Sequence, residues 1–298
     1  MNSPKAKLAF LGLGVMGGPM AGHLAKVGHR VVVYNRSPEK AQRWAQAHEQ
    51  FDIGLARSPR EAADRADLVL ACVGNDDDLT TVTIGPEGAF HGMQAGAVFM
   101  DHTTASAELA RELGKKAKAM GLHFLDAPVS GGELGAINGT LTIMVGGDLQ
   151  AFEQAKPVAS AYSRAFTRIG ENGEGQLAKM VNQICVTAVI QGLAEGLSFG
   201  KKAGLDMKLV LDVISKGAAQ SWQMENRGPT MVDGKFDFGF AVDWMRKDLG
   251  LCIQEATRLG ATLPVTALID QFYGEIQAMG GNRWDTSSLI KRLETSTR

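Results

Sequence analysis

The stretch Gly12-Leu13-Gly14-Val15-Met16-Gly17 decides the fold of this chain. The apolar segment Lys7–Leu11 comes before it and predicts a strand, and residues 19–27 after it follow a helical pattern. A second apolar segment, Arg30–Tyr34, predicts the next strand. The three glycines therefore lie at the first turn of a βαβ unit, the position at which such a loop binds a dinucleotide.

Each glycine of this loop has its own expected role. Gly12 permits the tight turn, Gly14 lets the backbone approach a pyrophosphate, and Gly17 lets helix and strand pack closely. The phosphates would lie at the helix N-terminus, where free N–H groups and the helix dipole favour an anion. The alternative is a glycine-rich turn that serves packing alone, but the flanking strands and helix favour dinucleotide binding.

The residues after the second strand indicate which dinucleotide is preferred. NAD-specific sites usually place Asp or Glu there to accept from the ribose 2′-hydroxyl, whereas this chain has Asn35-Arg36-Ser37. A neutral Asn35 does not repel a 2′-phosphate, and Arg36 can pair with one through two hydrogen bonds. We therefore expect NADP(H) to be preferred, with NAD(H) possible. The alternative makes Arg36 a solvated residue before a helix that Ser37 caps and Pro38 begins.

Composition narrows the class of protein. With 298 residues the chain is long enough for two domains, and 45% apolar and 21% charged residues are typical of a globular protein. A net charge of −1 gives no field that would recruit nucleic acid or an anionic membrane. Cys72, Cys185 and Cys252 are scattered without metal-ligand spacing, so we expect a reducing compartment and no metal site. The first residues do not resemble a signal peptide, and the sequence pattern predicts no membrane-spanning segment. We therefore expect a cytoplasmic location.

Strand and helix patterns alternate from Lys7 to about Ile169, and helical patterns alone follow from about Gly175. This alternation predicts an α/β fold with a doubly wound parallel sheet. The expected strands are Lys7–Leu11, Arg30–Tyr34, Leu68–Val73, Ala97–Met100, His123–Ala127, Leu141–Val145 and Phe166–Ile169. We expect a dinucleotide-binding domain over residues 1–170, an interdomain helix over 171–203 and an all-helical domain over 204–298.

The segment Gln176–Ala203 predicts one helix about 40 Å long that links two domains or crosses a subunit interface. Polar side chains recur at every fourth position of this apolar segment and so share one helix face. They are Lys179, Gln183, Thr187, Gln191 and Glu195. Two interpretations stay open from Thr187 to Glu195: a buried polar face with hydrogen-bonding partners, or a solvated face.

The segment Asp126-Ala127-Pro128-Val129-Ser130-Gly131-Gly132 follows a predicted strand and so opens at the carboxyl end of the sheet, where such sheets bind ligands. The Ser130 hydroxyl and the N–H groups of Gly131 and Gly132 suit a small carboxylate substrate. A turn that only connects strands is the alternative. Two glycines beside a serine at a strand end favour substrate contact, because glycine is costly where its freedom is not used.

Two lysines are candidates for chemistry. Lys179 lies in the first turns of the long helix, where the helix dipole and partial burial are expected to lower its pKa and suit it to acid–base catalysis. Lys247 precedes Asp248, and on spacing alone such a pair is typical of a surface ion pair.

Four segments together resemble the β-hydroxyacid dehydrogenase family along essentially the whole chain. They are residues 12–21, residues 126–132, residues 173–182 and Lys247-Asp248-Leu249. The resemblance implies an N-terminal Rossmann-type domain, a long interdomain helix and an all-helical C-terminal domain that helps to form a homodimer or homotetramer. It also implies hydride transfer between NADP(H) and a small 3-hydroxy carboxylate or its semialdehyde, of the 3-hydroxyisobutyrate, tartronate semialdehyde, succinic semialdehyde or glyoxylate type.

The same resemblance implies roles for individual residues. Lys179 is implied as the catalytic acid/base, and Lys247 as a contact to cofactor or substrate. The implied substrate contacts are Ser130, Gly131, Gly132, Asn182, Gln183 and Lys247. The expected cofactor-binding residues are Gly12, Leu13, Gly14, Val15, Met16, Asn35, Arg36, Ser37, Val73, Gly74, Asp78, Thr104 and Lys247.

Three segments depart from the family's usual pattern. Val73-Gly74-Asn75 replaces a common Leu-Pro, and Asp101-His102-Thr103-Thr104 replaces Asp-x-Ser-Thr. Gln183 stands where many members have a second asparagine, and its longer reach leaves the substrate open.

Other activities are alternatives to this one. A 3-hydroxy amino acid of the serine, threonine or phenylserine type is the alternative substrate, and a nucleotide-binding module without turnover is the alternative class. A 6-phosphogluconate dehydrogenase needs a larger helical domain, and related imine reductases typically replace the lysine at Lys179.

Overall fold

A computed structural model describes residues 5–294, and the chain divides into two units, Met1–Lys179 and Met180–Arg298, here called the sheet unit and the helical unit. The strands are β1 Lys7–Leu11, β2 Arg30–Tyr34, β3 Ile53–Leu55, β4 Leu68–Ala71, β5 Val98–Asp101, β6 His123–Asp126, β7 Val129–Ser130, β8 Leu141–Gly147 and β9 Ser163–Gly170. The helices are α1 Gly17–Lys26, α2 Pro38–Gln46, α3 Pro59–Ala63, α4 Asp76–Ile84, α5 Ala107–Ala119, α6 Gly132–Ile137, α7 Leu149–Ala159, α8 Glu174–Lys202, α9 Met207–Ile214, α10 Trp222–Val232, α11 Val242–Leu259, α12 Pro264–Ala278 and α13 Leu289–Glu294.

The sheet has the order β3-β2-β1-β4-β5-β6-β8-β7, with β9 paired to β8. From β3 to β6 every pairing is parallel. The chain passes from β1 to β2 on one side and later to β4 on the other. The carboxyl ends of β1 and β4 therefore flank a topological switch point, the usual ligand crevice of an open α/β sheet.

The expected parallel sheet is present from β3 to β6, and one edge adds antiparallel pairs. Strand β8 runs antiparallel to β6 and β7, and parallel to β9. The chain leaves β6 at its carboxyl end and returns through β7 and the six-residue α6. The short α6 does not carry the chain back to the amino-terminal end of β6. The chain therefore enters β8 at the end of the sheet where β6 finishes, and β8 runs antiparallel to β6.

The central strands of the sheet are buried on both faces. Phe10 packs into the cluster on one side of the sheet, and its neighbours Ala9 and Leu11 pack into the cluster on the other. Successive side chains of a strand point to opposite faces, which is why the central strands read as continuous apolar runs. The two short strands β3 and β7 are not among the predicted strands, because two or three residues carry no recognisable pattern.

Helix starts follow the sequence signals in most cases. Ser106 Oγ accepts the N–H of Leu109 at the start of α5, and Ser58 Oγ accepts the N–H of Glu61 at the start of α3. Ser37 occupies the N-cap position before Pro38, but its side chain makes no capping hydrogen bond. Ser37 therefore occupies the expected N-cap position without forming the expected capping hydrogen bond.

The long helix α8 begins at Glu174 and ends at Lys202, close to the expected limits. The division between the two units falls inside this helix, between Lys179 and Met180. By length and composition alone α8 is apolar enough to cross a membrane, a weak indication that buried helices of other proteins also give.

The polar face of α8 is buried along most of its length. The side chains from Lys179 to Gln191 on this face are buried, namely Lys179, Gln183, Thr187 and Gln191. Glu195 is exposed and accepts the amide N–H of Gln191 at 2.6 Å. Thr187 and Gln191 are therefore buried and Glu195 is solvated, and the partner expected of a buried polar group is present for the amide nitrogen of Gln191. Elsewhere the helical unit packs around apolar side chains such as Ile190, Met245 and Tyr273.

Candidate active site

The glycine loop has the geometry expected of a pyrophosphate cradle. Gly12 has φ +96°, and a Cβ there would collide with the carbonyl oxygen of Cys72. A Cβ at Gly17 would collide with the carbonyl oxygen of Gly12, so the start of α1 packs directly on the loop. At Gly14, by contrast, a Cβ would meet nothing within 4 Å. The outer glycines are required by packing, and the middle one faces open space.

The N-terminus of α1 completes this cradle. The helix begins at Gly17, its N-cap residue Met16 makes no side-chain capping bond, and its first turn holds no acidic residue. Val15 beside it is 59% exposed. The Gly18 N–H donates to the carbonyl of Gly14 at 3.0 Å and Pro19 has no N–H, so α1 favours an anion chiefly through the positive end of its dipole. The open space at Gly14 fits the pyrophosphate of a dinucleotide.

Asn35 fixes the loop through its side chain. Its amide oxygen accepts the N–H of Leu13 at 2.9 Å, and its amide nitrogen donates to the carbonyl of Ser37 at 3.1 Å. The side chain thereby ties the end of β2 to the glycine loop. A neutral side chain serves this role, because both the donor and the acceptor of the amide are used.

Arg36 and Asp78, both expected at the cofactor, form an ion pair with each other. Arg36 Nη1 lies 2.6 Å from Asp78 Oδ1, with side-chain exposures of 82% and 27%. Asp78 lies in the first turn of α4, where its N–H donates to the Asn75 side chain at 2.8 Å.

The remaining cofactor candidates lie beyond the carboxyl ends of β4 and β5. The Val73 N–H donates to Thr103 Oγ1 at 3.0 Å, and the Thr103 N–H donates to Asp101 Oδ1 at 2.9 Å. Gly74 and Thr104 are half-buried in the same two loops. Strand β4 ends at Ala71 rather than Val73, so Val73 belongs to the loop.

Residues 127–132 follow β6 and are here called the carboxylate loop, after the substrate group expected to bind there. Ser130 ends β7 opposite Thr142, and Gly131 and Gly132 have φ of +131° and +61°. Side chains rarely adopt this backbone, so glycine is needed at both positions. A Cβ at Gly132 would meet nothing within 4 Å, which leaves space in front of its backbone.

The buried carboxylate of Asp126 anchors the start of α8. Its Oδ1 accepts the N–H of Gly173 at 2.8 Å and its Oδ2 accepts the N–H of Gln176 at 3.0 Å, with a longer bond from Asn172. Burial raises the pKa of Asp126 to about 6, and these hydrogen bonds oppose the rise. A Cβ at Gly175 would collide with the carbonyl oxygen of Asp126, so the first turn of α8 packs directly on the sheet.

Gln176 is a second anchor of the same turn. Its amide nitrogen donates to the carbonyl of Thr103 at 2.7 Å, and its amide oxygen accepts the N–H of Ala105 at 3.1 Å. The loop after β5 and the end of β6 thus both hold the start of α8. Lys179 lies three residues further along this helix and is 7% exposed. The lysine expected to transfer a proton is therefore buried on a turn whose position is fixed twice.

The His102 side chain forms a hydrogen bond with the backbone of the carboxylate loop. Its Nδ1 lies 2.7 Å from the carbonyl of Ala127, so Nδ1 carries the proton, and Nε2 accepts from the Tyr162 hydroxyl at 2.9 Å. Burial lowers the pKa of His102 to about 4, which keeps the ring neutral. The sequence flagged this residue only as a departure from the family pattern.

The helical unit contains a connected set of polar side chains on α8 and α11. The Asn182 amide nitrogen donates to Gln183 Oε1 at 2.9 Å, and Gln183 Nε2 donates to Asp248 Oδ2 at 2.7 Å. Lys247 Nζ lies 3.0 Å from Asp248 Oδ1. Asp248 is 1% exposed, so the pair Lys247–Asp248 is not the surface ion pair that its spacing suggests.

Sequence reasoning assigned no role to Asp126 or Gln176, and it named Asp248 only as the ion-pair partner of Lys247. Asp126 gave a usable signal, since a charged residue that directly ends an apolar strand needs a partner. Gln176 gave no signal, and nothing indicated the bond between Asp248 and Gln183, because these partners are distant in sequence. Gln183, expected to contact substrate, has its amide oxygen and nitrogen bonded to Asn182 and Asp248.

Comparison with known proteins agrees with this architecture. Residues 7–170 match the family model described as the NAD binding domain of 6-phosphogluconate dehydrogenase. Residues 173–293 match the model described as "NAD-binding of NADP-dependent 3-hydroxyisobutyrate dehydrogenase".

Whole-chain relatives extend this agreement. The chain is 61% identical to an uncharacterized oxidoreductase of Shewanella frigidimarina, over 98% of this chain and 99% of the relative. It is 35% identical to 2-hydroxy-3-oxopropionate reductase of Escherichia coli, over 97% of each chain. The solved structure of Mycobacterium tuberculosis 3-hydroxyisobutyrate dehydrogenase with L-serine is 31% identical, with a TM-score of 0.86 over 97% of this chain and 99% of that one.

These matches and the site define a Rossmann-type oxidoreductase that uses a nicotinamide cofactor. The chain belongs to the β-hydroxyacid dehydrogenase family, and its activity at family level is NAD(P)-dependent hydroxyacid dehydrogenation.

Proposed function

We propose that this protein transfers a hydride between NADP(H) and a small 3-hydroxy carboxylate or the matching semialdehyde, with Lys179 as the acid/base. The observation that carries the proposal is the buried Lys179 on the first turns of α8, anchored by Asp126 and Gln176. A binding module without turnover gains nothing from a buried lysine on a helix turn that is anchored twice, because burying an ionisable side chain costs free energy.

Different residues of the sheet unit would bind the cofactor, bind the substrate and transfer the proton. The glycine loop and the start of α1 would hold the pyrophosphate, and a bound nicotinamide supplies or accepts the hydride. The Ser130 hydroxyl and the N–H groups of Gly131 and Gly132 would hold the substrate carboxylate. Neutral Lys179 would take the hydroxyl proton during oxidation, and its ammonium would donate a proton to the carbonyl oxygen during reduction.

The preference for NADP(H) is supported by Arg36 and by the lack of a carboxylate on the end of β2. Asn35 is neutral, and Arg36 offers a guanidinium that pairs well with a phosphate. Asp78 opposes this preference, because it is paired with Arg36 in the protein alone.

The experiment that tests the function is a substrate panel followed at 340 nm. Purified protein is supplied with NADPH or NADH and with semialdehydes of three and four carbons, and with the oxidised cofactors and the matching 3-hydroxyacids. We expect turnover on at least one small 3-hydroxy carboxylate pair, faster with the phosphorylated cofactor. Absence of turnover on the whole panel, with cofactor binding retained, would favour the binding module.

A 3-hydroxy amino acid is the second candidate substrate. One observation favours including it: the related Mycobacterium tuberculosis structure is described with L-serine. Serine, threonine and phenylserine therefore belong in the panel, and their turnover above the carboxylates would replace the first proposal.

The oligomeric state and the cytoplasmic location stay predictions. Helix α8 exposes Val181, Val189 and Phe199 at 61%, 41% and 74%. Light scattering coupled to size-exclusion chromatography would decide between a monomer, a homodimer and a homotetramer.

A further inference from the structure

The ion pair between Arg36 and Asp78 bears on cofactor selectivity. Arg36 Nη1 lies 2.6 Å from Asp78 Oδ1. Arg36 follows β2, and Asp78 lies on α4 after β4. These two strands flank β1, the strand that leads into the glycine loop. Arg36 thus follows the strand on one side of β1, and Asp78 follows the strand on the other side.

Asp78 is the better fixed of the two partners. Its backbone N–H is held by the Asn75 side chain at 2.8 Å, and its side chain is 27% exposed. It also lies in the first turn of α4, where the helix dipole stabilises a negative charge. Arg36 is 82% exposed, so the arginine is the partner that can move.

A 2′-phosphate would compete with this carboxylate for one guanidinium. The 2′-phosphate carries a charge near −2 and is attracted by Arg36. The Asp78 carboxylate, which is paired with the same arginine, repels the phosphate. We propose that Asp78 is a specificity-determining residue that counteracts Arg36 and so narrows the selectivity for NADP(H) over NAD(H). The proposal rests on the proposed function for the role of Arg36, and it gives Asp78 the opposite sign from a residue that assists cofactor binding.

The chain offers a matched control beside Asp78. Asp77 lies in the same first turn of α4 and is exposed. The ion pair of Arg36 is formed with Asp78. Asp77→Asn changes the net charge by the same amount as Asp78→Asn but leaves the pair intact.

The experiment measures binding rather than turnover. Isothermal titration calorimetry gives the Kd of NADP+ and of NAD+ for the wild type, Asp78→Asn, Asp77→Asn, Arg36→Ala and the Arg36→Ala/Asp78→Asn double variant. We expect Asp78→Asn to tighten NADP+ binding by about threefold to tenfold at low salt, because it removes the repulsion between the carboxylate and the 2′-phosphate. This is the usual size of an interaction between exposed charges. NAD+ binding should change by less than about twofold. At about 0.15 M salt the gain should shrink, because the Debye length is then about 8 Å.

The double variant tests whether the effect passes through Arg36. Without the arginine there is no shared partner, so Asp78→Asn should then give less of a gain for NADP+ than it gives in the wild type. Asp77→Asn should leave the ratio of the two Kd values near that of the wild type.

Three results would overturn the proposal. An unchanged NADP+ affinity in Asp78→Asn means that the pair is irrelevant, and a weaker one means that Asp78 orients Arg36 for the phosphate. An equal gain in Asp77→Asn means that only the total charge matters. Thermal melting of each variant, and Asp78→Ser as a second substitution, separate these results from damage to α4.

The outcome is independent of the substrate panel. A protein that turns over no hydroxyacid still reports the Asp78 effect in the two Kd values. A wild type that binds NAD+ more tightly would contradict the NADP(H) preference of the proposed function, while the change in Asp78→Asn would still test Asp78.

Discussion

The glycine loop of the sheet unit and the polar set on α8 and α11 of the helical unit are built in opposite ways. In the loop the backbone determines the residues, since Gly12 has φ +96° and a Cβ at Gly17 would collide with Gly12. In the helical unit side chains satisfy one another, as Gln183 and Lys247 both pair with Asp248. Local backbone constraints leave a signature in sequence, and contacts between distant helices do not.

The largest expected effect is on turnover. Lys179→Ala should lower kcat by about 10²–10⁴, the usual loss for a positioned acid/base. NADPH binding, followed by fluorescence, should stay within about twofold. Lys202→Ala, at the exposed end of the same helix, is the control and should retain wild-type kcat. Near-normal turnover in Lys179→Ala would remove the lysine from the mechanism.

Substitution of the glycines separates packing from binding within the loop. Gly12→Ala should lower the free energy of unfolding by about 2–4 kcal/mol, because it adds a Cβ at positive φ against the Cys72 carbonyl. Gly14→Ala meets open space, so stability should change by less than about 1 kcal/mol while NADPH binding weakens. Chemical denaturation and cofactor titration of both variants measure this. If Gly14→Ala bound NADPH like the wild type, the loop would serve packing alone.

Two buried groups of the sheet unit should give opposing pH dependences. The pKa of Asp126 is raised to about 6, so its contribution to stability is present at low pH and falls by about 3 kcal/mol as pH rises from about 4 through 6. The pKa of His102 is lowered to about 4, so its contribution is present above about 6.5 and falls by about 3 kcal/mol as pH drops to about 4.

The wild type should therefore show little net pH dependence from these two groups. His102→Gln should become less stable as pH rises from 4 to 6.5, and Asp126→Asn should become more stable over the same range. Urea denaturation at four pH values in this window measures both trends. Parallel trends in the two variants would contradict the opposing signs.

The smallest expected effect lies in the helical unit. Asp248→Ala should cost about 1–3 kcal/mol, because it leaves the buried amide of Gln183 without its acceptor. Asp248→Asn keeps an oxygen acceptor and should cost less. Equal losses in the two variants, measured by urea denaturation, would mean that the charge at Asp248 matters more than the hydrogen bond.

The sequence allowed prediction of those parts that depend on local pattern. The strands from Lys7 to Tyr34, the long helix and the glycine loop all lie close to their expected limits. Strand β8 was predicted, but its antiparallel direction was not, since strand direction depends on the end of the sheet at which the chain enters the strand. Strands of two or three residues such as β7 were also missed, because they are stabilised by their neighbours alone.

The sequence by itself determined the dinucleotide-binding unit, the glycines that shape it and the candidate lysine, because periodicity and backbone constraints act between near neighbours. The tertiary structure alone decided that Asp126 and Gln176 hold the start of α8, that Asp248 pairs with Gln183, and that Asp78 lies on Arg36. These partners are separated by dozens of residues, and only folding brings a buried polar group to the one that satisfies it.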